Sequence, residues 1–234
     1  MKDTYQVVSI KDGKQDLETI LQILRQIKAG NLKNDLRLLN YYNEVPISYA
    51  ATIDKIEADC VECSPHQAQS VALGLQKQTL LTSAAFPQGL GVHCFVEYVN
   101  VRNCFAVLGR FAFASIRAQR RGAVRVRIIE NIPSTYSSEG QTLEGRASDI
   151  SVTGLAIQTR QTKPVGLQEN GNIQLAFQGT VLVLPTILVS TIEVDGDFTY
   201  TFKIEADKHA DKIISQYIYS RQVEIIRELK EQFQ

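Results

Sequence analysis

Between Arg125 and Glu205 the sequence breaks into short β-rich runs separated by turn chemistry, and this regular breakage constrains the fold more than any other feature of the chain. Strands are expected at Arg125–Ile129, Thr142–Ile150, Leu155–Thr159, Asn172–Phe177, Val181–Thr191 and Phe198–Glu205, where β-branched, apolar and aromatic residues concentrate. Asn170-Gly171 and Asp195-Gly196 read as tight hairpin turns, because both dipeptides tolerate the positive φ angles such turns need. Six short strands at this spacing can hide their apolar faces only by closing on one another, which predicts a small antiparallel barrel. Asp207–Phe233 follows as a helix: Ile214, Tyr217, Ile218, Arg221, Ile225 and Leu229 fall on one face, and Arg227 and Glu231 form a charge pair one turn apart.

The first half of the chain has a different texture. Asp16–Ala29 places Leu17, Ile20, Leu21, Leu24 and Ile27 at helical spacing, with Gly30 as a stop. Strands joined by turns are expected from Leu36 to Cys63. A short helix is expected to open at Ser64-Pro65, with Pro at its first position, and to run through Leu75. Phe86-Pro87-Gln88-Gly89 marks a turn, and Val92–Tyr98 and Cys104–Phe113 read as strands flanking Asn100–Asn103. The 234 residues suit two domains, and 44% hydrophobic content supplies a core for each. The division is expected near residue 116: an α+β domain over 1–114, an arginine-rich linker over 115–126, and a barrel domain over 119–234 that ends in the helix 207–233.

Charge narrows the function. Twenty-five basic and 25 acidic residues cancel, which argues against a general nucleic-acid coat or a polybasic membrane anchor, so any anion site must be local. No apolar run reaches the length of a membrane span, and the first residues lack the plan of a secretory signal. Cys60, Cys63, Cys94 and Cys104 are too few for a disulfide framework, and a reduced, cytoplasmic chain is expected.

One local site stands out. "QRRGAVRVR", residues 119–127, holds four arginines and no acid; over Ser115–Arg127 there are five arginines and no lysine. A guanidinium fork binds two phosphate oxygens, or the O6 and N7 edge of guanine, with parallel hydrogen bonds, and its flat face stacks on a purine. Lysine offers neither geometry, so an arginine-only cluster points to a planar or phosphorylated ligand. Downstream, "DISVTG" (Asp149–Gly154) supplies a carboxylate for a guanine N1–H and amino group, a small hydroxyl at Ser151, and a bare glycine that lets a ligand approach the backbone.

Together, Arg121-Gly-Ala-Val-Arg125 and Asp149-Ile-Ser-Val-Thr-Gly154 resemble the PilZ domain, the bacterial receptor for cyclic di-GMP, whose pattern is Arg-x3-Arg before the first barrel strand and Asp/Asn-x-Ser-x2-Gly on a later one. The resemblance covers about residues 117–234, including the final helix. It implies a six-stranded antiparallel β-barrel with a C-terminal helix, and cyclic di-GMP held by Arg120, Arg121, Arg125, Asp149, Ser151 and Gly154. Arg120, just before the motif, points within the family to an intercalated dimer of the ligand; the alternative for it is a solvent-facing arginine. The layout of an α+β domain running into "QRR" resembles the YcgR type of flagellar brake protein, which implies a split β-barrel over residues 1–114. It also implies flagellar motor or switch proteins as partners, with location at the flagellar basal body. On this reading ligand orders the linker, reorients the domains and slows motility.

Other readings are weaker. PilZ-type control of transcription needs a basic face outside the linker, and none is visible. Control of pili or exopolysaccharide by the same ligand is not separated from motility. A PilZ fold without ligand conflicts with the complete motifs. No metal and no catalysis are expected: His66, His93 and His209 form no triad, and Cys60, Cys63, His66, His93 and Cys94 are set down as ordinary core and surface residues rather than zinc ligands. The end helix can pack on the barrel or pair with a copy of itself, so monomer and homodimer both stay open.

Overall fold

The computed structural model describes residues 5–43, 45–116, 123–160 and 170–231. They form two compact units, one of residues 1–122 together with 225–234, the other of residues 123–224. The first unit contains β1 (Tyr5–Val7), α1 (Gly13–Lys28), β2 (Arg37–Tyr42), β3 (Val45–Glu57), β4 (Cys60–Pro65), α2 (Gln67–Gln76), β5 (Gln78–Thr82), β6 (Leu90–Asn100) and β7 (Phe105–Ile116). The second contains β8 (Val126–Arg127), β9 (Pro133–Ser138), β10 (Gln141–Ser151), β11 (Gly154–Thr159), β12 (Asn170–Phe177), β13 (Thr180–Val194) and β14 (Asp197–Ile204). Helix α3 (Lys208–Glu231) ends the described chain.

Each unit is a closed six-stranded antiparallel barrel with one short extra strand. In the first, the ring runs β2-β3-β4-β7-β6-β5 and returns to β2; in the second, β9-β10-β11-β14-β13-β12 returns to β9. Counting strands from the start of each ring, both follow the order 1-2-3-6-5-4, so the two barrels share one topology. The extra strand differs. β1 adds to β7 at Ala114–Ile116, beyond the stretch of β7 that pairs with β4. β8 adds to β10 at Asp149 and Ile150, beyond the stretch that pairs with β9. In both cases a long strand outruns its neighbour, and the leftover edge is paired rather than left open.

The first barrel meets the expectation of a split-barrel α+β domain. Asp12 caps α1 by accepting from the amides of Lys14 and Gln15, and Gly30 ends it at φ +76°. Ile20, Leu21, Leu24 and Ile27 are buried, as their spacing demands. The second helix begins two residues later than expected. Pro65 completes β4, and His66 is the N-cap of α2, its Nδ1 accepting from the Ala68 amide at 3.2 Å. A polar knot lies beneath this helix. Asn40 donates to Gln76 Oε1 at 2.7 Å and to the Gln78 carbonyl at 2.8 Å, while its own Oδ1 accepts from Gln69 at 2.6 Å and Thr79 at 2.8 Å. These bonds offset the cost of burying Asn40, Gln69 and Thr79.

The second barrel has the six-stranded ring expected, but one of its strands differs. Pro133–Ser138, where no strand is expected from the sequence, fills the place in the ring expected for residues 125–129, and β8 is the short extra strand. Asp195 and Gly196 form the β13–β14 turn with φ of +53° and +81°, the type I′ signature. Asn170-Gly171 is not a turn. Both residues lie in β12, paired with Ile187 and Thr186. Glycine is required at 171 for space: a Cβ there would stand 2.4 Å from the Tyr136 ring and 2.5 Å from the Ser137 carbonyl oxygen. The interior is filled by Tyr136, Leu143, Ile150, Leu155, Phe177, Leu184 and Phe202, all buried.

Helix α3 begins one residue after the expected start. Asp207 caps it by accepting from the Ala210 amide at 2.7 Å. Ala210, Ile214, Tyr217 and Ile218 are buried, and Arg227 and Glu231 approach to 3.7 Å as the spacing predicted. Tyr217 is the polar anchor of this helix on the second unit. Its hydroxyl donates to Glu130 at 2.6 Å, and its ring meets Phe177 edge-on at 4.8 Å between centroids. Partial burial pushes the Glu130 carboxyl up, but hydrogen bonds from Tyr217 and from backbone amides outweigh it and hold the group below its ordinary value. A depressed carboxyl contributes stability above its unfolded pKa and loses that contribution as pH falls through the folded one. Tyr217→Phe is expected to lower stability at neutral pH by about 1 kcal/mol and to flatten the decline below the carboxylate range, read by urea denaturation at stepped pH.

Candidate nucleotide site

The second barrel reads its surroundings from the outside. Val126, Ile150, Leu155 and Phe202 point inward and are fully buried or nearly so. Strand alternation therefore sends Arg127, Ser151, Gly154 and Lys203 to the outer face. The register places them side by side. Asp149 faces Arg127 on β8 and Ala156 on β11; Ser151 faces Gly154; Gly154 faces Lys203 on β14. A bulge between Ala147 and Asp149 turns the end of β10 just before the motif, a device that re-aims side chains at barrel rims.

Arg125 joins this face from the segment before β8. Its Nε lies 3.3 Å from Asp149 Oδ1, with both side chains partly covered. Its Nη2 stands 3.9 Å from where a Gly154 Cβ would be, so the guanidinium roofs the glycine. The same position is 3.5 Å from Ser151 Oγ, an ordinary contact, and 3.3 Å from the Phe202 carbonyl oxygen, a tight one that a side chain at 154 would press. Ser151 Oγ donates to the Gly154 carbonyl at 3.3 Å and accepts from the Thr153 amide at 3.4 Å, which fixes the corner between β10 and β11. Ser148 reaches the Asp149 carboxylate at 3.4 Å and orients it from the strand side.

Four of the six residues singled out in the sequence, Arg125, Asp149, Ser151 and Gly154, thus meet on one outer corner. Arg120 and Arg121 lie outside the described residues, as does the centre of the expected linker; Ser115 and Ile116 are the end of β7, and Val126 begins β8. Lys203 is the residue the sequence reading did not single out. It lies 49 residues beyond Gly154 in sequence, and only the β11–β14 pairing brings it alongside. At this corner a guanidinium supplies paired donors, a carboxylate supplies paired acceptors, and Gly154 contributes no side chain.

The histidines and cysteines outside this corner have structural surroundings. His66 caps α2 and stacks on Tyr49 at 4.1 Å. His93 is buried between Tyr5 and Phe95, and burial, assisted by Arg110, lowers its pKa. Burial pushes the Cys63 thiol up to about 12, with Asp54 adding to it, and Cys94 is raised as well, so neither offers a ready thiolate. Among the described residues no group of three or more His, Cys, Asp or Glu is placed to hold a metal ion. No helix among them is long and apolar enough to cross a membrane.

Among curated proteins there is no significant sequence match. Among solved structures the chain is similar to the Bacillus subtilis inhibitor of motility MotI/DgrA, at 12% identity and TM-score 0.42 over 81% of this chain and 95% of that one. It is similar to YcgR from Escherichia coli in complex with c-di-GMP, at 16% identity and TM-score 0.43 over 94% of this chain and 96% of that one. It is also similar to the MrkH–c-di-GMP complex of K. pneumonia, at 12% identity and TM-score 0.44 over 96% of this chain and 99% of that one. Residues 119–220 match the family model described as the PilZ domain, a span that contains both motifs, the whole second barrel and the start of α3. The stretch 119–220 of this chain thus matches the PilZ domain, and it lies behind a first barrel of the same strand order.

Proposed function

We propose that the chain is a cyclic di-GMP effector that binds its ligand on the outer β10–β11 corner and uses binding to control a protein partner. The observation that carries the reading is the convergence of Arg125, Asp149 and Gly154, within the stretch that matches the PilZ domain, on one outer corner. Asp149 accepts from the N1–H and amino group of one guanine. Arg125 takes a phosphate or the O6 and N7 edge of a base. Gly154 lets the base lie against the strand, and Ser151 keeps the corner in shape. Arg120 and Arg121 add guanidinium forks from the segment just ahead, and Arg120 is the residue that would accommodate a second, intercalated nucleotide. The role is binding and signalling rather than catalysis, since the corner has a carboxylate and a hydroxyl but no base beside the hydroxyl.

Ligand binding changes more than the corner. The arginine segment is also the covalent connection between the two barrels, so fixing it on a dianion restricts where the first barrel can go. This is an order-type switch whose extent is set by the ligand's difference in affinity for the two arrangements. The resemblance of the two-barrel layout to flagellar brakes favours motor or switch proteins as the target and reduced motility as the output.

Titration calorimetry of the full chain with cyclic di-GMP is expected to give a saturable isotherm at micromolar protein. Arg121→Ala, Arg125→Ala and Asp149→Ala should each weaken binding about tenfold or more. Because the Arg125–Asp149 pair is partly exposed, Asp149→Ala should shift unfolding stability by less than about 1 kcal/mol. An absence of heat, or tight binding retained in all three variants, contradicts the reading. For the switch, spin labels at Lys28→Cys and Glu139→Cys, with Cys60 and Cys104 replaced by serine, report the distance between the barrels. Saturating ligand is expected to shift or narrow that distance distribution. An unchanged distribution at calorimetric saturation would rule the switch out.

A further inference from the structure

We infer that Lys203, on the last strand of the second barrel, is a third kind of ligand contact: an ammonium that meets a phosphate of the bound dinucleotide from the side opposite Arg125. This rests on the ligand reading above and extends it to a residue outside both motifs.

Three observations carry the inference. The first is register. Gly154 pairs with Lys203 across β11 and β14, and directly opposed residues of an antiparallel pair share a face with Cα atoms about 4.5–5.5 Å apart. The neighbouring pair, Leu155 and Phe202, is buried inside the barrel, which fixes Gly154 and Lys203 on the outside. The second is the position of the other cation. Arg125 Nη2 lies 3.9 Å from the vacant Cβ position of Gly154. Bare glycine therefore has a guanidinium over it from one flank and the stem of a lysine rising beside it on the other. A doubly charged ligand lying on Gly154 sits between the two.

The third observation is that Lys203 is uncommitted. It is exposed, and among the described residues no carboxylate lies within ion-pair distance of it. Its neighbours on the outer face are Gly154 on one side and Ile187 on the other. The single acid of the corner, Asp149, is already engaged by Arg125. A lysine that stabilised the fold through charge would have an acidic partner here. The division of labour follows from the side chains. Arginine forks and the Asp149 carboxylate can read the flat, edge-patterned parts of the ligand, whereas a flexible ammonium serves as a point charge for a phosphate.

The test is calorimetric binding of cyclic di-GMP to the full chain carrying Lys203→Met, Lys203→Glu or Lys203→Arg, each at about 0.05 M and about 0.5 M salt. Folding is checked by thermal denaturation, which an exposed lysine should leave unchanged. Lys203→Met is expected to weaken binding about tenfold at low salt. Lys203→Glu should weaken it further, and Lys203→Arg should recover most of the loss. The deficit of the Met variant should shrink at high salt, because salt screens the lost charge interaction. If the unaltered chain binds and Lys203→Met binds equally well at low salt, or its deficit is the same at both salts, the inference is overturned and the ligand reading stands. If the unaltered chain does not bind, the ligand reading falls and the inference falls with it.

Discussion

A six-stranded barrel is too narrow to enclose a ligand, and everything else about the second half of this chain follows from that constraint. Tyr136, Phe177, Leu184 and Phe202 fill the interior with large side chains, as small barrels must be filled. Any recognition would thereby be confined to the outer face, where a strand offers only every second residue. The motif spacing reflects this. Asp149 and Ser151 are two apart on β10, the β10–β11 corner carries the chain to Gly154 on the neighbouring strand, and Ile150 between them is committed to the core. Arg125 is brought over the same patch because Val126, the next residue, is anchored in the core opposite Ile150.

The first barrel shows what the same topology looks like without that patch. Its hairpin of matching order, β3–β4, turns through Ala58 and Asp59, with Ala58 at φ +48°. Cys60, the first residue of β4, stands where β11 has Gly154, and farther along the hairpin exposed Ser64 donates to Asp54 at 2.6 Å. Polar investment in this unit has gone inward instead, into the Asn40–Gln69–Thr79 knot beneath α2 and the Tyr5–Gln78–His93 contacts. One strand order therefore serves two purposes. In one barrel it carries the proposed ligand corner, and in the other it supports an α+β body whose helices cover part of the surface.

Much of this was legible in the sequence because it rests on periodicity and on side-chain chemistry. The faces of α1 and α3 were readable from 3.6-residue spacing, and the Asp195-Gly196 turn from the positive φ both residues adopt. Arg125, Asp149, Ser151 and Gly154 were readable because their chemistry is specific and closely spaced. What failed to show did so for identifiable reasons. Asn170-Gly171 has turn chemistry, but the glycine is there to pass the Tyr136 ring inside a strand. Pro133–Ser138 carries Pro and three serines, which read as loop although it pairs on both sides. Pro65 looked like the start of a helix because nothing local reveals that β4 needs one more pair, with Ala51. Lys203 was invisible because cross-strand register, and not sequence distance, makes it a neighbour of Gly154.

The position of the bound nucleotide is the central point. Backbone amide NMR of the isotopically labelled chain, titrated with cyclic di-GMP, locates the contact directly. Perturbations centred on the amides of Arg125, Asp149, Ser151, Gly154 and Lys203, fading toward the far side of the barrel at β12 and β9, are the predicted result. Saturable perturbations confined to the first barrel, or centred on β9 and β12 with the 149–154 corner silent, would contradict it.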